Sequence, residues 1–137
     1  MMTMKKLQGS CLCGQVRFTV AEPFLYAGYC HCSLCRKASA AVGTAVAAVS
    51  PKQFEITQGA NALKSYQRSE KTHSYFCSNC SSMVYGQKPE TGFLHIRMGL
   101  LDDEPSEQPQ AHIFVGSKAD WYSIQDNLPQ FEQAPVA

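Results

Sequence analysis

All seven cysteines of this chain lie in close groups: Cys11 and Cys13 at C-x-C, Cys30 and Cys32 at C-x-C, Cys32 and Cys35 at C-x-x-C, and Cys77 and Cys80 at C-x-x-C. Two residues apart on one strand, side chains point the same way but stand too far apart for an unstrained disulfide. A pair of thiolates at that spacing, or at C-x-x-C, can instead grip one zinc ion from one side. Seven thiolates then divide into a closed site of four, Cys11, Cys13, Cys77 and Cys80, and an open site of three, Cys30, Cys32 and Cys35.

The closed site reads as structural. Cys11 and Cys13 are expected in a turn entering the first strand, and Cys77 and Cys80 between two short strands, each pair forming a knuckle that donates two sulfurs. Structural zinc binds with roughly 10 to 16 kcal/mol, as much as the whole net stability of a domain, about 5 to 15 kcal/mol. Losing one ligand should therefore unfold the chain. Gly14, directly after Cys13, suits the strained backbone of such a knuckle, whereas Ser81 after Cys80 pays a steric cost wherever φ is positive. The plain alternative is four buried apolar cysteines.

The open site reads as reactive. If residues 30–32 are extended, Cys30 and Cys32 face one way and His31 the other, and Cys35 in the following turn closes over the same point. Three protein ligands with a fourth position free distinguish catalytic from structural zinc. Three thiolates around zinc carry a formal charge of about minus one, which makes the ion a poor activator of water but still able to bind and deprotonate a thiol. Arg36 and Lys37 follow at once and either offset that charge, bind a substrate carboxylate, or are solvated surface cations. Strand alternation argues against His31 as a fourth ligand, and His73, His95 and His112 stand isolated. A redox trio, forming one disulfide with a thiol left over, is the competing reading of the triplet.

The elements that must position these groups are mostly strands. Runs rich in Val, Phe, Tyr, Ile and Thr recur between turn signals over residues 15–20, 41–49, 54–57, 74–76, 83–85, 93–98 and 112–115. Glu22-Pro23, Ser50-Pro51, Gln58 to Asn61, Lys88 to Gly92 and the polar stretch Asp102 to Gln110 punctuate them. The pattern predicts an all-β, mostly antiparallel fold forming one domain over residues 1–137, with a single short helix over Ser33–Ala40 and a frayed end from Gln133 to Ala137.

Lysine plus arginine total 12 against 11 acidic residues, so net charge gives no general attraction to nucleic acid or to an anionic membrane. Two lysines near the start have no apolar run of signal-peptide length behind them, and no stretch approaches the ~20 apolar residues of a membrane helix. A cytoplasmic location is expected, where clustered thiols stay reduced and serve as ligands or catalytic groups.

With these residues in place, the chain resembles the glutathione-dependent formaldehyde-activating enzyme family, which includes the domain of centromere protein V. The resemblance rests on Gly9-Ser10-Cys11-Leu12-Cys13-Gly14-Gln15-Val16-Arg17-Phe18, then Cys30-His31-Cys32-Ser33-Leu34-Cys35-Arg36-Lys37, then Phe76-Cys77-Ser78-Asn79-Cys80. It continues through His112 to Tyr122 and Asp126-Asn127-Leu128-Pro129. It implies several coiled antiparallel sheets, a structural zinc on Cys11, Cys13, Cys77 and Cys80, and an exchangeable zinc on Cys30, Cys32 and Cys35. The implied activity is condensation of formaldehyde with glutathione to S-hydroxymethylglutathione, a carbon-sulfur lyase in the reverse direction. The chain departs from the family pattern at Ala40 and Ser81, where glycine is usual, and at Gly43, where a bulky aromatic is common.

Taken together, the leading expectation is a zinc-dependent carbon-sulfur lyase acting on a small thiol adduct such as that of glutathione, with Cys30, Cys32 and Cys35 catalytic and with neither nucleic acid nor membrane as partner. The alternatives are a non-catalytic zinc module pairing Cys32-x-x-Cys35 with Cys77-x-x-Cys80 for protein interaction, and a thiol redox sensor. A concave apolar pocket beside the triplet separates a small-molecule site from a flat binding surface; Trp121, Tyr122 and Phe114 are candidates to line it, with core packing as their default role.

Overall fold

The computed structural model describes residues 5–134. Two sheets and one helix carry the chain. Strands β1 (Lys6–Ser10), β2 (Arg17–Ala21) and β5 (Phe54–Gln58) form a three-stranded antiparallel sheet in the order β1-β2-β5. The remaining strands are β3 (Tyr26–Cys30), β4 (Thr44–Val49), β6 (Leu63–Ser69), β7 (Thr72–Cys77), β8 (Met83–Gln87), β9 (Leu94–Arg97) and β10 (His112–Ile113). They order as β10-β3-β4-β9-β8-β7-β6, antiparallel throughout except for the parallel pair β10 and β3. The single helix, α1, spans Ser33–Ser39.

Strand alternation decides where the core and the site lie. Ala27, Ala47, Ile96 and Tyr85 stand opposite one another across the larger sheet and share a face. That face packs on Leu7, Phe18 and Val20 of the smaller sheet, building the main hydrophobic core. Phe18 lies so close over Gly9 that a Cβ there would come within 2.2 Å of its ring. The opposite face carries Tyr26, Cys30, Val46, His95 and Arg97, which border a common cavity covered by α1.

The all-β expectation holds, and the helix forms where expected, one residue short of Ala40, which caps it at φ +52°. Strands β1, β3 and β6 were not anticipated. Their sequences, KLQGS, YAGYC and LKSYQRS, are small or polar because one face of each meets solvent or a backbone neighbour rather than a core. Cys11 and Cys13 consequently sit in the connection leaving β1, not before the first strand. Of the run expected over residues 112–115, only His112–Ile113 is strand: the chain turns at Phe114, where φ is +56°. Of the segment expected to fray, residues 135–137 lie outside the described residues, while the Gln133 carbonyl accepts a hydrogen bond from the Phe114 N–H at 3.0 Å.

Candidate metal centres and thiol pocket

Hairpin geometry builds the four-sulfur cluster. The Cys11 N–H donates to the Val16 carbonyl and the Gly14 N–H to the Cys11 carbonyl, both at 3.0 Å, and Gly14 takes φ +80°, a value open to glycine without strain. Across the molecule, the Ser81 N–H closes a matching turn on the Cys77 carbonyl at 2.8 Å with φ +70°, so the second knuckle adopts a left-handed backbone despite its side chain. The Leu12 N–H donates to the Ser82 hydroxyl at 2.9 Å and ties the knuckles together. Cys11 and Cys77 are buried within the core, Cys13 is exposed and Cys80 half-buried.

The four sulfurs lie within 4.8 Å of one another. Tetrahedral zinc with bonds of about 2.3 Å demands sulfur separations near 3.8 Å; Cys11 to Cys13 is 3.6 Å and Cys13 to Cys77 is 3.8 Å. Donor number, donor softness and spacing all fit zinc. The environment also favours ionised sulfur on the outer side: hydrogen bonding from Ser82 pulls the Cys80 thiol down to about 5, while burial pushes Cys77 up to about 11.

Cys30, Cys32 and Cys35 make the second cluster, again with all sulfurs within 4.8 Å. Cys30 ends β3, the chain stays extended through Cys32, and Cys35 rides the first turn of α1. Cys32 is the cap residue of that helix, its sulfur accepting the Cys35 N–H at 3.2 Å. Cys30 and Cys35 Sγ stand 3.3 Å apart. Within the trio, hydrogen bonds from Cys30 and then Cys35 pull Cys32 well down, whereas Cys30 is pushed up chiefly by its bond to Cys32. The three sulfurs thus favour ionisation first at Cys32, the cap of α1.

The triplet borders a concavity of about 190 Å³ whose apolar lining includes Tyr26, Val46, Ile113 and Phe114. Four cationic or basic side chains that sequence reasoning missed, Arg68, Lys88, His95 and Arg97, line it too. Their signal was present in β9, where His95 and Arg97 alternate with buried Leu94 and Ile96, but a charged residue in such a pattern reads as solvent-facing. Arg97 is only 6% exposed. Burial pushes its guanidinium below the ordinary value, with Cys35 opposing.

Other expectations resolve differently. Arg36 and Lys37 do not border the triplet's cavity; Lys37 lines an adjoining groove and Arg36 a depression with Trp121. Trp121 is 74% exposed and packs no core, Phe114 does line the triplet's cavity, and Tyr122 lines a separate one. Ala40 and Gly43 likewise do not border the triplet's cavity, although Gly43 packs against the Cys30 carbonyl from the other side. His31 points to the other side of β3, as alternation requires, but His112 is not isolated: its Nδ1 lies 2.8 Å from His31 Nε2 and its Nε2 2.9 Å from the Asp126 carboxylate. No helix among the described residues is long and apolar enough to cross a membrane.

Comparison with known proteins places this arrangement. Residues 6–117 match the family model described as glutathione-dependent formaldehyde-activating enzyme. A Halomonas elongata protein, provisionally named a glutathione-dependent formaldehyde-activating enzyme, is 31% identical over 127 residues, covering 87% of this chain and 81% of the relative. The crystal structure of a Rhodobacter sphaeroides protein superimposes with a TM-score of 0.61 at 23% identity, covering 73% of this chain and 92% of the other, a likeness of fold.

Proposed function

This chain belongs to the glutathione-dependent formaldehyde-activating enzyme family, and from that premise we propose that it is a zinc-dependent carbon-sulfur lyase interconverting a small thiol plus formaldehyde with the S-hydroxymethyl adduct. The observation that carries the reading is the concavity beside Cys30, Cys32 and Cys35: a flat surface would have favoured a protein-binding module.

Cys11, Cys13, Cys77 and Cys80 would hold a structural zinc, and Cys30, Cys32 and Cys35 a reactive one. A zinc held by these three thiolates would supply the electropositive point that favours the thiolate form of an incoming thiol. The protein residues do the rest. Cys32, anchored as the cap of α1, and Cys30, anchored at the end of β3, fix two sulfurs on rigid elements. Tyr26, Val46 and Phe114 exclude water around the reacting atoms. In the condensing direction the substrate thiolate attacks the carbonyl carbon, the new C–S bond forms as the C=O π pair moves to oxygen, and that oxygen takes up the proton the thiol released. In reverse the hydroxyl proton leaves and the C–S pair returns to sulfur.

The test is exchange of formaldehyde with glutathione followed by NMR. Zinc-loaded wild type should accelerate the exchange over buffer, and Cys32→Ser should not while keeping its circular dichroism spectrum. No acceleration by wild type would refute the activity.

A further inference from the structure

Two arginines at the triplet lack an acidic partner. Among the described residues, neither Arg68 nor Arg97 forms an ion pair with a carboxylate. Arg97 donates through Nη1 to the His95 carbonyl at 3.1 Å, and its buried Nη2 meets no acceptor. Arg68 places Nη2 3.9 Å from Cys35 Sγ and leaves Nε and Nη1 without acceptors. Buried cations are held by counter-charge or pay a desolvation penalty of several kcal/mol. Among the described residues no Asp or Glu lines the cavity, so the counter-charge must come from sulfur and from what binds there.

The charge balance specifies that ligand. Three thiolates and a divalent zinc leave one negative charge. Arg68, Arg97 and Lys88 on the same cavity bring three positive ones, and burial holds His95 neutral at pH 7. The surplus matches a dianion, one charge on a thiolate sulfur and one elsewhere. Arg68 stands where the triplet's cavity meets a larger groove of about 470 Å³, which Lys37, Tyr66 and Phe76 also border. A thiol whose sulfur reaches the triplet and whose remainder lies in that groove passes between Leu34 and Arg68, which border both.

Resting on the thiol-adduct reading above, we infer that Arg68 is the specificity-determining residue that receives a carboxylate of the substrate thiol, with Arg97 as the buried counter-charge to the sulfurs. The remaining length of that thiol then lies in the groove beyond Arg68.

Calorimetric titration of the zinc-loaded full chain with glutathione and with glutathione diethyl ester, whose carboxylates are blocked, tests this. Wild type should bind glutathione at least about tenfold more tightly than the ester, and Arg68→Gln should remove most of that preference while leaving the ester's affinity unchanged, the size expected for one charge-assisted hydrogen-bonded contact. Arg68→Lys should restore part of it. Equal wild-type affinity for the two compounds, a comparison that needs no variant, overturns the assignment, as does equal weakening of both in Arg68→Gln. Binding of neither compound overturns the thiol reading together with this subsite. Selective binding without turnover contradicts only the lyase activity and upholds the role of Arg68.

Discussion

Replacing Cys77 by alanine separates the metal's contribution from ordinary packing. Cys77 is fully buried at the end of β7, and its sulfur lies 3.8 Å from that of Cys13, 64 residues away in sequence. As a packing change, deleting one sulfur resembles deleting a methylene and costs about 1 kcal/mol. As a ligand deletion it removes most of a binding free energy of roughly 10 to 16 kcal/mol, against a net stability of about 5 to 15 kcal/mol. The larger effect must dominate. Urea unfolding followed by circular dichroism should find zinc-loaded Cys77→Ala without a cooperative transition, indistinguishable from chelated wild type. Chelation also strips the triplet, so Cys32→Ser is the control and should retain its transition. A Cys77→Ala variant that unfolds cooperatively only about 1 kcal/mol below wild type would show that these sulfurs are packing groups.

Three further outcomes follow from single positions. Ala40 and Ser81 hold positive φ without being glycine, so Ala40→Gly and Ser81→Gly should each raise stability in thermal or urea unfolding by about 0.5 to 1 kcal/mol. A Cβ at Gly43 would fall 2.6 Å from the Cys30 carbonyl oxygen; Gly43→Ala should therefore displace Cys30 and lower the metal bound at the triplet, measured by elemental analysis, while the other site stays loaded. Burial first, then Lys88 and the two arginines, lower His95 to about 4. As pH is lowered from 6.5 to 4 the unfolded chain takes up a proton that folded His95 refuses, so stability is lost as pH falls through that window. His95→Gln should remove that part of the decline, on the order of 2 kcal/mol, and parallel wild-type and variant stability profiles would contradict it.

Much of the site was legible because cysteine spacing is a statement about metal geometry: the division into Cys11, Cys13, Cys77, Cys80 and Cys30, Cys32, Cys35 is the grouping the folded chain displays. The opposed directions of Cys30 and His31 likewise follow from strand period alone. What was hidden depends on tertiary placement. Arg36 and Lys37 adjoin the triplet in sequence, yet they leave the cage on α1, while Arg68 and Arg97 arrive from β6 and β9 through sheet register. His112 is the clearest case: only the parallel pairing of β10 with β3 brings it to His31. Strand β6 escaped notice because its sequence is polar, an edge strand of the larger sheet facing solvent along most of its length.

The most direct test of two unlike sulfur cages in one chain is native mass spectrometry of the zinc-loaded protein alongside Cys32→Ser. Two zinc ions per folded wild-type chain, and one in a Cys32→Ser chain of unchanged charge-state distribution, are the predicted result. A single ion in wild type, or loss of both ions together on Cys32→Ser, would contradict the account.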